Sequence, residues 1–385
     1  MKNISILGST GSIGVNALNV IDNLADKFNV KALSAYKNSN VLIEQAKKYQ
    51  PETIAIVDSS RVDFVKESLK DSAISVLHGR EGLLELSSRS DVDIMLNSLV
   101  GSSGMEPTIN AIRSSVDIAL SNKESLVMAG DIIEKEKNKY GAKIFPVDSE
   151  HSAIWQCLAG ERIDNVEKII LTGSGGPFRT RDINTFSEIK KEEALDHPNW
   201  AMGNKITIDS ATMMNKGLEV IETKWLFGVN EDKIKIIVHP ESIIHSMVEF
   251  KDKSVKAQLG VPDMKVPIQY ALTYPDRCFG NWESLDLLQL GSINFEPPDT
   301  ERFPCISLAY EALNKAGTMP AVLNVANEQA VYRFLNNEIG FMDIPYIIEK
   351  ACEKHDWISN PSLDDLLHLE AWTTDYVKRF VSKKS

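Results

Sequence analysis

The apolar patterning of this chain predicts an α/β protein in three parts. These are a helix-covered parallel sheet over residues 1–150, a central α+β segment over 151–275, and a helical bundle over 300–385, reached through a linker at 276–299. Three observations carry that reading. Short buried-strand runs alternate with helical periodicity through the first part, which fits strands joined by crossover helices. From residue 151 the strand-like runs lose their regular crossovers, so a mixed or antiparallel sheet with a few helices is expected. Beyond residue 307 only helical periodicity remains.

A length of 385 residues leaves ample core for two or three domains. Hydrophobic content of 43% and charged content of 25% are ordinary for a globular protein. The net charge of -12 argues against nucleic acid as a partner, because phosphate contacts need a basic face, although a local basic pocket for a small phosphate ester stays open. Cys157, Cys278, Cys305 and Cys352 form no paired motif and read as reduced structural thiols, which predicts the cytoplasm. The start, Met-Lys-Asn-Ile-Ser-Ile-Leu-Gly, reads as a first strand, not a signal peptide, and no apolar run approaches the ~20 residues of a membrane span. No membrane partner is expected.

In the first part, residues 4–7, 30–34, 53–57, 76–77, 93–97, 117–120 and 143–147 read as strands, separated by helical stretches such as 12–26, 41–49, 61–69 and 107–113. The first strand runs into Gly8-Ser9-Thr10-Gly11-Ser12-Ile13-Gly14 and then a helix. Glycines let the backbone turn tightly and approach a pyrophosphate, and the new helix offers free N–H groups. The G-x-x-G-x-x-G spacing varies the usual dinucleotide fingerprint and makes this part Rossmann-like; a plain glycine-rich turn is the alternative. After the second strand stands Ser34-Ala35-Tyr36-Lys37-Asn38, with a cation where an NAD-binding chain has an acid. Lys37 therefore favours a 2′-phosphate and NADP, unless it is a solvated surface lysine.

Further polar clusters end later strands: Asn97–Gly101, then Asn122-Lys123-Glu124, then Asp148-Ser149-Glu150. Ligands of parallel sheets bind at the carboxyl ends of strands, so the coincidence on one edge marks a site. Asp148 and Glu150, two apart on extended chain, face the same side and offer oxygen ligands to a hard cation, or repel each other without one. Lys123 is either a cation near the reacting end of a cofactor or a satisfied loop residue.

In the central part, residues 168–171, 205–208, 234–238, 246–250 and 255–259 read as strands. Gly173-Ser174-Gly175-Gly176-Pro177-Phe178-Arg179 is a phosphate cradle, a mobile cover or a long turn. His197-Pro198-Asn199-Trp200-Ala201-Met202-Gly203 places large apolar residues on a loop and reads as a lid, against ordinary loop anchoring. Asp209–Glu219 follows the run at 205–208. Ser210 suits a helix N-cap, and Asn215, Lys216 and Glu219 share one helix face. Asn215 and Lys216 supply phosphate donors and Glu219 a third carboxylate; the alternative is a surface Lys–Glu pair.

These motifs, with His239-Pro240-Glu241-Ser242 and Gly260-Val261-Pro262-Asp263-Met264, resemble 1-deoxy-D-xylulose 5-phosphate reductoisomerase in order along the whole chain. The resemblance implies a homodimer that converts 1-deoxy-D-xylulose 5-phosphate and NADPH to 2-C-methyl-D-erythritol 4-phosphate with Mg²⁺, Mn²⁺ or Co²⁺, in the non-mevalonate isoprenoid pathway. By motif it implies Asp148, Glu150 and Glu219 as metal ligands and, with Lys123 and His197, as the catalytic set. It implies Ser149, Ser174, His197, Ser210, Asn215, Lys216 and Lys123 as substrate contacts, with Trp200 and Met202 in the closing flap. Thr10, Gly11, Ser12, Ile13, Lys37, Asn38, Asn122, Glu124 and Gly203 are the implied NADPH contacts. Tyr36 departs from the small residue that relatives often have there, which leaves the contacts around the adenosine phosphate open. Two competing readings are a metal-free NADP-dependent sugar-phosphate or semialdehyde dehydrogenase and a non-catalytic NADP(H)-sensing regulator.

The segment at 274–298 reads as a surface linker, and helices are expected at 307–315, 321–335, 344–354 and 363–381. Asn324, Asn327 and Glu328 interrupt an otherwise apolar helix; buried packing or capping accounts for them as well as any site does.

Overall fold

The computed structural model describes residues 1–200 and 202–380. The chain divides into two compact units, one of residues 1–125, 133–152 and 263–283, the other of 126–132, 153–262 and 284–385.

The first unit is built on β1 (Lys2–Leu7), β2 (Phe28–Ala35), β3 (Thr53–Ile56), β4 (Ser75–His78), β5 (Ile94–Asn97), β6 (Asp117–Leu120) and β7 (Ile144–Pro146). They form one sheet in the order β4-β3-β2-β1-β5-β6-β7, parallel throughout. The expected strands are all present, because a parallel sheet covered on both faces buries consecutive apolar residues. Ile4, Ile6, Leu33, Ile54, Ile56 and Leu96 are fully buried. Helices Ser12–Asn23, Ser39–Tyr49, Val62–Ser68 and Met105–Arg113 stand where periodicity places them. Helix Lys265–Thr273 also belongs here, its Ile268, Ala271 and Leu272 packing into the same core as Ile4 and Leu18. Helices Gly79–Ser87, Lys123–Tyr140 and Ser149–Leu158 add to those named from periodicity.

The second unit holds β8 (Val166–Gly173), β9 (Ile234–Val238), β10 (Ile244–Phe250) and β11 (Val255–Leu259) in the order β11-β10-β8-β9. β8 and β9 are parallel, and β10 runs antiparallel to β8 and β11, the mixed sheet that the loss of crossovers predicts. Alternate residues of β10 are buried, as expected of a strand with one face on a core. The run at 205–208 is not a strand. It lies in helix Asn204–Ala211, where Lys205 pairs with Asp209 one turn on and the Thr207 hydroxyl donates to the Gly203 carbonyl. Lys-Ile-Thr-Ile alternates like a strand, but Lys205 and Thr207 are buried, so the polar residues of the pattern do not face water.

Helices Cys305–Lys315, Met319–Leu335, Asp343–Lys354 and Leu363–Arg379 follow the expected C-terminal periodicity, and Ser362 and Asp365 form a capping box at the last. Val381, the expected end of that helix, lies outside the described residues. Val322, Ala326, Ile347 and Val377 share one core with Ile169, Leu171 and Ile236 of the sheet. No helix among the described residues is long and apolar enough to cross a membrane.

The turn after β1 is the tightest junction of the first unit. A Cβ on Gly14 would stand 2.4 Å from the Gly8 carbonyl oxygen and 2.5 Å from the Ser9 Cα, both backbone atoms with little freedom to move. Gly14→Ala is therefore expected to destabilise the protein by about 1–3 kcal/mol. A lowered Tm in thermal unfolding checks this, and an unchanged Tm contradicts the packing.

Candidate active site

Strands β1, β5, β6 and β7 are neighbours and parallel, so the segments that follow them gather on one edge of the first unit. Gly8 has a φ of 82°, open to glycine at no steric cost, and Gly11 precedes helix Ser12–Asn23 without a capping side chain. The first N–H groups of that helix lack intrahelical partners, which makes its start a fitting place for an anion. Thr10, Gly11, Ser12 and Ile13 lie there, all at least partly exposed. Lys37 and Asn38 follow β2 and are exposed; the Asn38 side chain caps helix Ser39–Tyr49 by accepting from Val41 N at 3.5 Å.

Asn122 is committed to the protein itself. Its Nδ2 donates to the Leu99 and Gly101 carbonyls at 2.9 Å and to Glu124 at 3.2 Å, while its Oδ1 accepts from Ser125 N at 3.0 Å. Asn97 likewise ties the Gly104 carbonyl and the Thr108 hydroxyl. Part of the polarity that marks this edge in sequence therefore braces the loops.

Asp148 and Glu150 are not on extended chain. β7 ends at Pro146, and Ser149 opens helix Ser149–Leu158, with the Asp148 carbonyl accepting from Ser152 N at 2.8 Å. The pair stands instead at a helix start, where the helix dipole favours anions. The buried Lys123 ammonium makes a short ion pair with Asp148, and the Ser149 hydroxyl donates to Glu150 Oε2 at 2.6 Å. The Lys123–Asp148 contact follows from topology, since β6 and β7 are paired and each group stands just past its strand.

In the second unit, β8 ends in the glycine-rich loop. Gly175 and Gly176 have φ values of 84° and 70°, and a Cβ on Gly176 would come 2.6 Å from the Ser210 carbonyl oxygen. The loop thus lies against the segment that carries Ser210. His197 Nε2 stands 3.2 Å from the Ser174 hydroxyl and 3.1 Å from the Ser210 hydroxyl. His197 Nδ1 accepts from the backbone N–H of Asn199 at 3.2 Å and of Trp200 at 3.0 Å, which assigns the ring proton of the neutral imidazole to Nε2. Two hydroxyls and one N–H converge, a donor set suited to an oxyanion. Arg179, the cation of this loop, is paired with Glu296 at 2.5 Å.

Ser210 is not the N-cap that its type suggests. It lies in the last turn of helix Asn204–Ala211, and the next helix, Met214–Phe227, starts after Met213, whose φ is 60°. On that helix Glu219 is fully buried. Lys216 Nζ and Asn215 Nδ2 each donate to one of its oxygens at 2.6 Å, and Lys216 also donates to the Thr172 carbonyl at 2.6 Å. Gly173 leaves the lane for this lysine, since a Cβ there would stand 2.7 Å from Lys216 Cε.

Trp200 packs near His245, ring centroids 6.2 Å apart, and Asn199 Nδ2 donates to the Pro240 carbonyl at 2.6 Å and the Ser242 hydroxyl at 2.9 Å. Sequence reasoning misses His245, a single histidine in an alternating strand, and gives no role to the 239–242 motif, which holds the loop at Asn199. Met202 is half-buried, and Gly203 precedes helix Asn204–Ala211 with open space beside its α-carbon. The cysteines are free, and burial pushes the Cys157 thiol up to about 11 and the Cys305 and Cys352 thiols up to about 12, which makes them poor nucleophiles.

Burial holds the His197 pKa below the ordinary 6.5. The unfolded chain then takes up the proton first as pH falls. The stability contributed by the neutral ring is whole above about pH 6.5 and is lost as pH drops through the lowered folded value. An NMR titration of the His197 ring in the ligand-free protein is expected to show a midpoint below 6.5; a midpoint at or above it contradicts this environment.

Three family models match the chain: 1-deoxy-D-xylulose 5-phosphate reductoisomerase over residues 4–130, its C-terminal domain over 144–227, and the DXP reductoisomerase C-terminal domain over 259–376. A 1-deoxy-D-xylulose 5-phosphate reductoisomerase of Chloroherpeton thalassium is 53% identical over 98% of this chain and 97% of its own length. One of Acetivibrio thermocellus is 52% identical over 99% of this chain and its full length. Among solved structures, the Zymomonas mobilis reductoisomerase in complex with NADPH superposes with a TM-score of 0.91 at 41% identity, covering 98% of both chains. A DOX-P reductoisomerase in complex with NADPH, fosmidomycin and magnesium gives 0.93 at 38% identity, again over 98% of both chains. This chain belongs to the 1-deoxy-D-xylulose 5-phosphate reductoisomerase family.

Proposed function

We propose that this chain rearranges and reduces 1-deoxy-D-xylulose 5-phosphate to 2-C-methyl-D-erythritol 4-phosphate with NADPH and a divalent cation. The observation that carries the reading is identity of about half to reductoisomerases over nearly the whole length of both chains.

Asp148, Glu150 and Glu219 are the proposed metal ligands. Their chemistry fits a hard cation, since all three are carboxylates and none is a thiol or imidazole. The turn at Gly8–Gly14, the uncapped helix start and exposed Lys37 fit the pyrophosphate and 2′-phosphate of NADPH. When bound, the cation offers positive charge to oxygens that turn anionic and NADPH supplies hydride.

The protein's own groups bind, orient and shield. Ser174, Ser210 and the His197 Nε2–H, with Asn215 and Lys216, are proposed to hold the substrate phosphate. That remote binding energy orients the reacting end. Ser149 and Lys123 contact the substrate, with the Lys123 ammonium, paired with Asp148, holding a proton for a substrate oxygen. Trp200 and Met202 exclude water when the flap closes. Glu124 and Gly203 remain proposed NADPH contacts; for Asn122 the contact falls to the backbone, because its amide is taken.

A homodimer acting in the cytoplasm completes the proposal. Edge strand β11 is largely exposed, with Val255 at 50%, and Leu288 on the short helix Leu287–Leu290 is 96% exposed, apolar surface suited to a second copy. The proposed domain roles are NADPH binding for residues 1–150, catalysis for 151–275 and support for the site and dimer from 300–385.

NADPH consumption with 1-deoxy-D-xylulose 5-phosphate, with and without Mn²⁺, tests the function. Oxidation that stops with EDTA and returns with Mn²⁺ is expected; oxidation indifferent to EDTA favours a metal-free dehydrogenase, and none with any sugar phosphate favours a sensor. Glu150→Gln is expected to lower kcat by roughly 100-fold or more, the equivalent of several kcal/mol of charge stabilisation, with NADPH affinity little changed. Wild-type turnover in that variant at saturating metal contradicts its role as a ligand.

A further inference from the structure

We propose that Asn327, on helix Met319–Leu335, is a positioning residue for the Ser210 hydroxyl. The inference rests on the phosphate-binding reading of the Ser174–His197–Ser210 cluster and extends it to a residue 118 positions from its contact.

Asn327 is fully buried on a helix whose other buried residues are apolar except Asn324 and Glu328. Its Nδ2 donates to Asp209 Oδ1 at 2.8 Å, while Asp209 Oδ2 is 2.7 Å from Lys205 Nζ. Asp209 is 1% exposed and Lys205 5%, so both oxygens of a buried carboxylate are held by buried donors. Such a carboxylate is costly unless paired and hydrogen-bonded, and its partners therefore fix where it sits.

Helix Asn204–Ala211 has only eight residues, too few to be stable alone, so tertiary contacts decide its placement. The residue after Asp209 is Ser210, whose hydroxyl lies 3.1 Å from His197 Nε2. The same short helix begins directly after the flap residues, and Thr207 ties it to the Gly203 carbonyl at 2.9 Å. The Asn327–Asp209 bond thus fixes, from the C-terminal helices, the element that carries the phosphate-binding hydroxyl. Lys205 grips Asp209 from within the same helix, whereas Asn327 grips it from a different helix and so ties the two together.

The test uses inorganic phosphate, followed through the His197 ring resonance, beside steady-state kinetics with 1-deoxy-D-xylulose 5-phosphate. Asn327→Leu and the milder Asn327→Ser are expected to weaken phosphate binding and raise KM by about tenfold, the size of one lost bond to a charged group, with kcat changed less and NADPH affinity unchanged. The exchange Asn327→Asp with Asp209→Asn, which keeps an amide–carboxylate bond, is expected to recover part of the loss. The proposal is overturned if folded Asn327→Ser, with native NADPH affinity, titrates with phosphate and turns over substrate like wild type. It is also overturned if the variants lose only Tm. Absence of turnover in the wild type would sink the proposed reaction instead, while the phosphate titration still reads Asn327 independently.

Discussion

Burying a carboxylate costs far less beside a compensating cation, and among the described residues the pairs Lys123–Asp148, Lys205–Asp209 and Lys216–Glu219 each set a buried lysine against a carboxylate. Two pairs are local, spaced i,i+4 and i,i+3 on short helical segments. The third depends on the sheet, because only the pairing of β6 with β7 brings the residues after those strands together. Each pair fixes a carboxylate whose neighbours in sequence have proposed roles: Ser149 and Glu150 after Asp148, Ser210 after Asp209, and Asn215 and Lys216 before Glu219. The lysines thus do more than neutralise. They set the geometry from which the candidate site is built.

The Ser174–His197–Ser210 cluster has a second constraint, the tautomer of His197. Two backbone N–H groups of its own loop occupy Nδ1, so the other nitrogen is left as a donor toward the two serine hydroxyls. The segment sets the protonation of its own histidine, while Asn199 ties it to the 239–242 turn.

Much of this was legible in the chain alone. The seven strands of the first sheet, the glycine turn and the shared helix face of Asn215, Lys216 and Glu219 follow from periodicity and spacing that local geometry obeys. The failures have physical causes. Residues 205–208 alternate like a strand, yet the buried Lys205–Asp209 pair and the Thr207 back-bond hold a helix. Asp148 and Glu150 read as the end of an apolar strand, where the chain instead opens a helix at Ser149. Polar side chains at strand ends looked like ligand groups, but those of Asn97 and Asn122 brace loops. His245 and Asn327 gain their contacts only through tertiary folding, which spacing along one strand or helix does not encode.

Binding of Mn²⁺, followed through loss of the free-ion EPR signal, tests most directly the claim that Asp148, Glu150 and Glu219 form one cation site. Wild-type protein is expected to take up one tight ion per chain, and Asp148→Asn and Glu219→Gln each to bind it roughly tenfold or more weakly while remaining folded. Undiminished Mn²⁺ binding in both variants would contradict the account.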